Sequence, residues 1–244
     1  MNREPLTRSL ILPALLVLVA GLRGFGQETP ANPPMMSVED EGVFVVSLAG
    51  RPVGSESFKI HVSSDKIEAQ GEIRLRIEQN GRTVTVQSFP GLLLDRQLRP
   101  LTYTWNQKGT QSSRLEVDFR GKLAKVRYKT VNGKEDDRDF ELPSDVMVLD
   151  DNVIHHYQLI AARYQALGGG KQTFRVFVPQ EALPSILSVE DGGTTASTAG
   201  GVTTELRHLL ITTDVTHIDL WVTAQQQVER LSVPATQLEA IRRR

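Results

Sequence analysis

The chain has 244 residues and no cysteine. That absence excludes a lipid-modified N-terminal cysteine, a disulfide framework, a thiolate metal site and a cysteine nucleophile. Long basic runs are also missing, apart from Arg242-Arg243-Arg244 at the end. A nucleic-acid partner therefore has no electrostatic footprint to follow. No G-x-S-x-G elbow occurs; the nearest string, Gly54-Ser55-Glu56-Ser57, lacks the second glycine and precedes a strand. Helical zinc spacing is absent too, because Leu159 and Ile160 stand where His155 and His156 would need partners.

The one strongly apolar run, Leu10–Ala20, is too short to span a bilayer. With Arg3 and Arg8 before it and Gly24-Phe25-Gly26 after it, residues 1–26 are expected to be a secretory signal peptide cut ahead of Gln27. A retained N-terminal anchor is the alternative. Losing Arg3, Arg8, Arg23 and Glu4 takes the formal net charge from −1 to −3, a balanced surface. Residues 27–36 are proline-rich and are expected to be an extended spacer, ahead of a single β-rich domain over 37–244.

What is present is alternation. Phe44, Val46 and Leu48 share one face, as do Phe58, Ile60 and Val62, and Ile73, Leu75 and Ile77. Asn80-Gly81 is a hairpin signal, since both residues tolerate positive φ. The same period runs through Leu101–Trp105, Leu115–Phe119 and Ala124–Tyr128, and again from Phe174 onward. The pattern predicts roughly eleven to thirteen antiparallel strands with one wet and one dry face. Gly192–Gly201 is expected to be a flexible loop. A short helix is expected over Pro234–Arg242.

Residues 151–167 break the alternation. On a helix of about 100° per residue, Val153, Tyr157, Ile160, Ala161 and Tyr164 form an apolar stripe. Asp151 or Asn152 is expected to cap the start and Gly168-Gly169-Gly170 to stop it. His155 falls opposite the stripe and His156 at its border, so both are expected to be solvated, with metal binding or proton transfer as the alternative. The fold class is mainly β: a strongly curved antiparallel sheet, as half-barrel, roll or open barrel, with this helix on its concave face. A β-sandwich is the alternative.

The chemistry-bearing residues are few. His217 and Asp219 are same-face neighbours on a strand and could orient a base, given a nucleophile. Glu135, Asp136, Asp137 and Asp139 lack calcium-loop spacing, so they are expected at a solvated hairpin tip. Asp150-Asp151 is expected to be a helix cap, not a glycosidase pair. The aromatic and apolar residues Tyr103, Trp105, Phe119, Tyr157, Ile160, Tyr164 and Trp221 are the candidates to line an apolar groove between sheet and helix. The alternative places them in ordinary core.

Three stretches carry a family resemblance. Gly50-Arg51-Pro52-Val53-Gly54 is a turn followed by V-G and a polar strand. Asp150 leads the mid-chain helix that ends at Leu167. Ile218-Asp219-Leu220-Trp221-Val222 has the form I-x-[IL]-W-[VIL]. Spanning most of 42–240, they resemble a family of uncharacterised exported β-rich bacterial proteins, a domain of unknown function. Ala224 and Gln225 depart from that pattern where a charged residue often sits. The family is similar in outline to periplasmic lipoprotein carriers, in which an incomplete barrel wraps a helix and offers a cavity to acyl chains. The resemblance implies no site residue.

The leading expectation is a non-enzymatic binding or carrier module for a lipid or glycolipid, periplasmic or secreted in a Gram-negative-type bacterium. The alternative is a structural or interaction protein of the envelope with a filled core and a protein partner. The third is a hydrolase using His217 and Asp219. No cofactor, no metal and, once the leader is removed, no transmembrane span are expected.

Overall fold

The computed structural model describes residues 38–79, 82–108, 112–130, 133, 135–199 and 202–243. The expected leader at 1–26, the expected spacer at 27–36, the Asn80-Gly81 hairpin signal and Gly200-Gly201 of the expected loop lie outside the described residues. The strands are β1 (Asp40–Leu48), β2 (Arg51–Val62), β3 (Lys66–Gln79), β4 (Arg82–Asp95), β5 (Pro100–Lys108), β6 (Ser113–Asp118), β7 (Ala124–Thr130) and β8 (Glu135–Phe140). After them come β9 (Met147–Val148), the helix α1 (His156–Ala166), β10 (Gln172–Val178), β11 (Leu183–Ala199), β12 (Val202–Thr213), β13 (His217–Val222), β14 (Val228–Val233) and β15 (Leu238–Arg243).

All fifteen strands of the described residues belong to one sheet. Two meanders, β1–β8 and β10–β15, are joined where β1 pairs with β15, and β9 lies beyond β10 at the far end. Every pairing is antiparallel except β9 with β10. Alternation buries one face of each long strand, as at Phe44 and Val46, Phe58 and Ile60, and Leu209 and Ile211. Those faces and α1 form one core cluster. A twisted sheet this wide must curl to bring its two halves onto one helix. Accordingly, the start of α1 meets β2 through Glu56 and β5 through Tyr103, while its end meets β12 through Arg207. This is the curved open sheet around one helix that the periodicity predicts.

The sheet is tied at its centre and unpaired at its ends. At the β1–β15 seam, Arg242 donates from Nη1 and Nη2 to the two oxygens of Asp40, at 2.8 and 2.7 Å, with both side chains nearly buried. Gln227 donates to the same carboxylate at 3.0 Å. At the other extreme, β8 and β9 have no ladder between them. Phe177 of β10 bridges this gap, with its ring centroid 5.2 Å from Phe140 of β8 and 6.1 Å from Phe119.

Four local expectations are corrected. Leu238–Arg243 is a strand, not a helix, preceded by a single turn at Pro234–Thr236. Its residues favour helix locally, but pairing with both β1 and β14 outweighs that preference. The threonine-rich 192–199 stretch is paired strand, continuous with β11. Residues 135–140 are the sheet's edge strand, where charge discourages edge-to-edge pairing. The helix starts at His156, and both histidines are fully buried.

Candidate functional site

Glu56 begins the site. It shares the inward parity of Phe58 and Ile60 on β2 and is fully buried. Its Oε2 accepts the Ile154 N–H at 2.7 Å, and its Oε1 accepts the His155 N–H at 2.9 Å. Oε1 also lies 2.6 Å from His155 Nδ1. A carboxylate from a distant strand therefore does the capping expected of Asp151 or Asn152, and it suits the positive end of the helix. The His155 ring stacks parallel to Phe58 at 5.7 Å. Gly71 makes the room: a Cβ there would sit 2.9 Å from His155 Cε1.

His156 turns the other way. Its ring meets His155 edge-on at 4.9 Å and Tyr103 at 5.9 Å. The Asp150 N–H donates to His156 Nδ1 at 3.2 Å, which places the ring proton of the neutral imidazole on Nε2. Burial, with His155 alongside, holds the His156 imidazole well below its ordinary value. Asp150 is buried as well. Its Oδ2 accepts a hydrogen bond from the Tyr103 hydroxyl, and its Oδ1 accepts the N–H groups of Asp151 and Gln180, each at 3.0 Å. Burial raises the Asp150 carboxyl to about 6, against the opposing pull of those hydrogen bonds. Burial and the Asp150 charge push the Tyr103 hydroxyl well above its usual range. Residues 56, 155, 156, 150 and 103 thus form a buried polar chain from β2 to β5.

Gln180 leads from that chain to the surface. It lies in the turn Pro179–Glu181, which faces the inner side of β5–β8 across a cleft of about 470 Å³. The floor is a cross-strand row: Trp105 opposite Leu115, Leu115 opposite Tyr128, Tyr128 opposite Asp136. It runs from core to solvent, since Trp105 and Leu115 are buried and Tyr128 is 40 % exposed. Val126 widens the apolar floor, while Asp136 and Arg138 form a charged rim on β8. The other wall carries Gln180, Glu181 and Ala182. Beside it, burial and the carboxylate of Glu181 raise the Asp151 carboxyl.

The seven groove candidates do not converge on one surface. Trp105 reaches this cleft. Tyr103, Ile160 and Tyr164 are fully enclosed, and Tyr164 donates its hydroxyl to the Gly170 carbonyl at 2.6 Å. Tyr157 is half-buried against the core. Phe119 packs on Phe177 beside a separate depression. Trp221 lies on the outer face of β13, between the His208 ring at 4.7 Å and the Arg230 guanidinium at 4.6 Å. Glu56 is not among the sequence candidates, and its parity with Phe58 is the signal that marks it.

His217 and Asp219 do meet, with His217 Nε2 3.4 Å from Asp219 Oδ1. The same oxygen lies 2.8 Å from His208 Nε2. Thr212 Oγ1 is 3.5 Å from His217 Nδ1, at the limit of a hydrogen bond. His217 is 45 % exposed on the open sheet face. Such a face does not exclude water or aim preorganised donors at a developing charge. Among the described residues, no group of three His, Asp or Glu side chains is arranged to hold a metal ion. Nor is any helix there long and apolar enough to cross a membrane.

No protein-family model matches the chain, and no curated protein does. Among solved structures, a β-barrel-like protein of domain of unknown function DUF1849 from Brucella abortus superposes with a TM-score of 0.59. The identity is 9 %, over 86 % of this chain and 98 % of that one. A DUF1089-family protein from Pseudomonas aeruginosa aligns with a TM-score of 0.45 and 14 % identity, over 74 % of this chain and 90 % of that one. The expected likeness to β-rich proteins of unknown function therefore holds as a likeness of fold, and what this chain shares with the Brucella protein is a β-barrel-like architecture.

Proposed function

We propose that the chain is a non-enzymatic binding module of the bacterial envelope whose ligand is an amphiphile such as a lipid or glycolipid. The observation that supports this reading is the cleft at the unpaired end of the sheet. Its floor of Trp105, Leu115, Val126 and Tyr128 is apolar, and its rim of Asp136, Arg138, Gln180 and Glu181 is polar. Apolar lining with a few placed polar groups is the usual make-up of a small-molecule site. The leader-like 1–26 segment supports delivery across the inner membrane.

The filled-core reading also has an observation in its favour. The interior of the sheet is occupied by α1, with Ile160 and Tyr164 fully enclosed. A ligand therefore sits at the end of the sheet and does not displace the helix.

The test is binding of N-phenyl-1-naphthylamine, an uncharged fluorescent amphiphile, with native mass spectrometry of protein purified from the periplasm. The reading expects saturable fluorescence enhancement, a co-purifying amphiphile, and loss of both in Ser113→Trp, which fills the cleft from β6. Enhancement unchanged by Ser113→Trp places the probe elsewhere and sinks the reading.

A further inference from the structure

Resting on the cleft as ligand site, a second inference concerns what holds the cleft's shape. Its two walls come from distant parts of the chain, β5–β8 on one side and the Pro179–Ala182 turn on the other. One carboxylate joins them. Asp150 takes the Tyr103 hydroxyl on Oδ2 and the Gln180 N–H on Oδ1. Tyr103 lies two residues before Trp105 on the floor strand, and Gln180 lines the facing wall. Gln180 adds a second tie, donating from Nε2 to the Asp151 carbonyl at 3.1 Å. Asp150 itself does not line the cleft and is only 2 % exposed.

We propose that Asp150 is the positioning residue of the cleft, a buried latch that fixes the Gln180 wall to the β5 floor and slackens when it takes up a proton. Ionised, Oδ1 accepts charge-assisted hydrogen bonds from Gln180 and Asp151. Protonated, it is a weaker neutral acceptor, and the wall loses its main tether. No bond is made or broken beyond the transfer of one solvent proton to the carboxylate.

The groups around the latch fit this role. From β5 comes the Tyr103 hydroxyl, and from α1 His156, which is engaged by the backbone N–H of Asp150 and stays neutral. From the turn come Gln180 and Glu181, the latter facing Asp151. From β2, Glu56 is tied to His155 and adds negative charge felt at Tyr103. The largest influences on the carboxylate are burial and the hydrogen bonds from Tyr103, Gln180 and Asp151. Burial then brings its titration to about 6, between resting and mildly acidic conditions.

The experiment follows the Gln180 amide by NMR in the purified full chain from pH 5 to 8, alongside N-phenyl-1-naphthylamine affinity over the same range. The expected result is a Gln180 signal that titrates near 6 and an affinity about fivefold weaker at pH 5 than at pH 8. Asp150→Asn should abolish both dependences. Tyr103→Phe removes one stabilising donor and should move the Gln180 midpoint upward, which a merely structural tyrosine would not do. A Gln180 amide indifferent to pH overturns the latch, and so does affinity that holds constant while Gln180 titrates. If Gln180 titrates and no probe binds, the latch stands in the free protein and the ligand reading fails.

Discussion

Glu56 and His155 lie 99 positions apart in the chain, yet Glu56 Oε1 is 2.6 Å from His155 Nδ1 and neither side chain is exposed. The contact fastens the start of the only α-helix among the described residues to the second strand of the sheet. Because the same carboxylate also takes two backbone N–H groups, its removal strands three buried donors at once. Glu56→Ala is expected to cost about 3–5 kcal/mol in urea unfolding. Glu56→Gln should cost less, about 1–3 kcal/mol, since its amide oxygen still accepts one of the three. Equal stability of Glu56→Ala and wild type would mean that α1 is held by apolar packing alone.

The Arg242–Asp40 pair at the β1–β15 seam gives a second expectation. Arg242 also donates to the Glu41 carbonyl at 2.8 Å, and its guanidinium lies over the Phe58 ring at 5.4 Å. Arg242→Ala leaves a buried aspartate with only Gln227 for company and should destabilise by about 3–5 kcal/mol. Asp40→Ala with Arg242→Ala should cost clearly less than the two single changes together, because neither charge is then stranded. A double-mutant cycle in denaturant reads this directly; additive losses would place the seam's strength in the strand ladder.

The sheet was legible in the sequence because a curled antiparallel sheet leaves a period of two in every strand, as in Phe44-Val45-Val46 and Ile218-Asp219-Leu220. The site was not, and His155 shows why. A helical wheel assumes solvent on one side, whereas the curled sheet covers α1 on nearly every side, so the wheel's polar face is interior here. Glu56 could have been found, since it lies in register with Phe58 and Ile60 on the dry face. The end of the chain could not be read locally. Leu238–Arg243 favours helix by composition and becomes a strand because β1 and β14 each offer it an edge.

Asp150 and His156 are expected to oppose one another in acid. Asp150 has a folded-state value raised to about 6. Between its ordinary value near 4 and about 6, the folded chain binds the extra proton, so stability from this group is present in acid and is lost as pH rises through about 6. The folded value of His156 is lowered. Below about 6.5 the unfolded chain takes the proton that the buried ring refuses, so stability from this group is lost as pH falls. Asp150→Asn should therefore lose stability from pH 6.5 to 4.5 more steeply than wild type, by up to about 1.4 kcal/mol per pH unit. His156→Asn, which keeps an acceptor for the Asp150 N–H, should lose less than wild type over the same range. Parallel pH–stability curves for all three proteins would contradict both assignments.

Gly71 separates a steric from an electrostatic account of the polar chain. A Cβ at this position would lie 2.9 Å from His155 Cε1 and 3.3 Å from both His155 Nδ1 and Pro90 Cγ. The imidazole cannot retreat freely, because its Nδ1 is engaged by Glu56 and its face is stacked on Phe58. Gly71→Ala should therefore cost about 1–3 kcal/mol as an overpacking change. Shrinking the obstacle should recover most of that loss. In a Glu56→Ala background His155 is free to turn away, so Gly71→Ala should add little further cost. If Gly71→Ala costs the same with and without Glu56, the Pro90 ring and not the histidine sets the limit at this position.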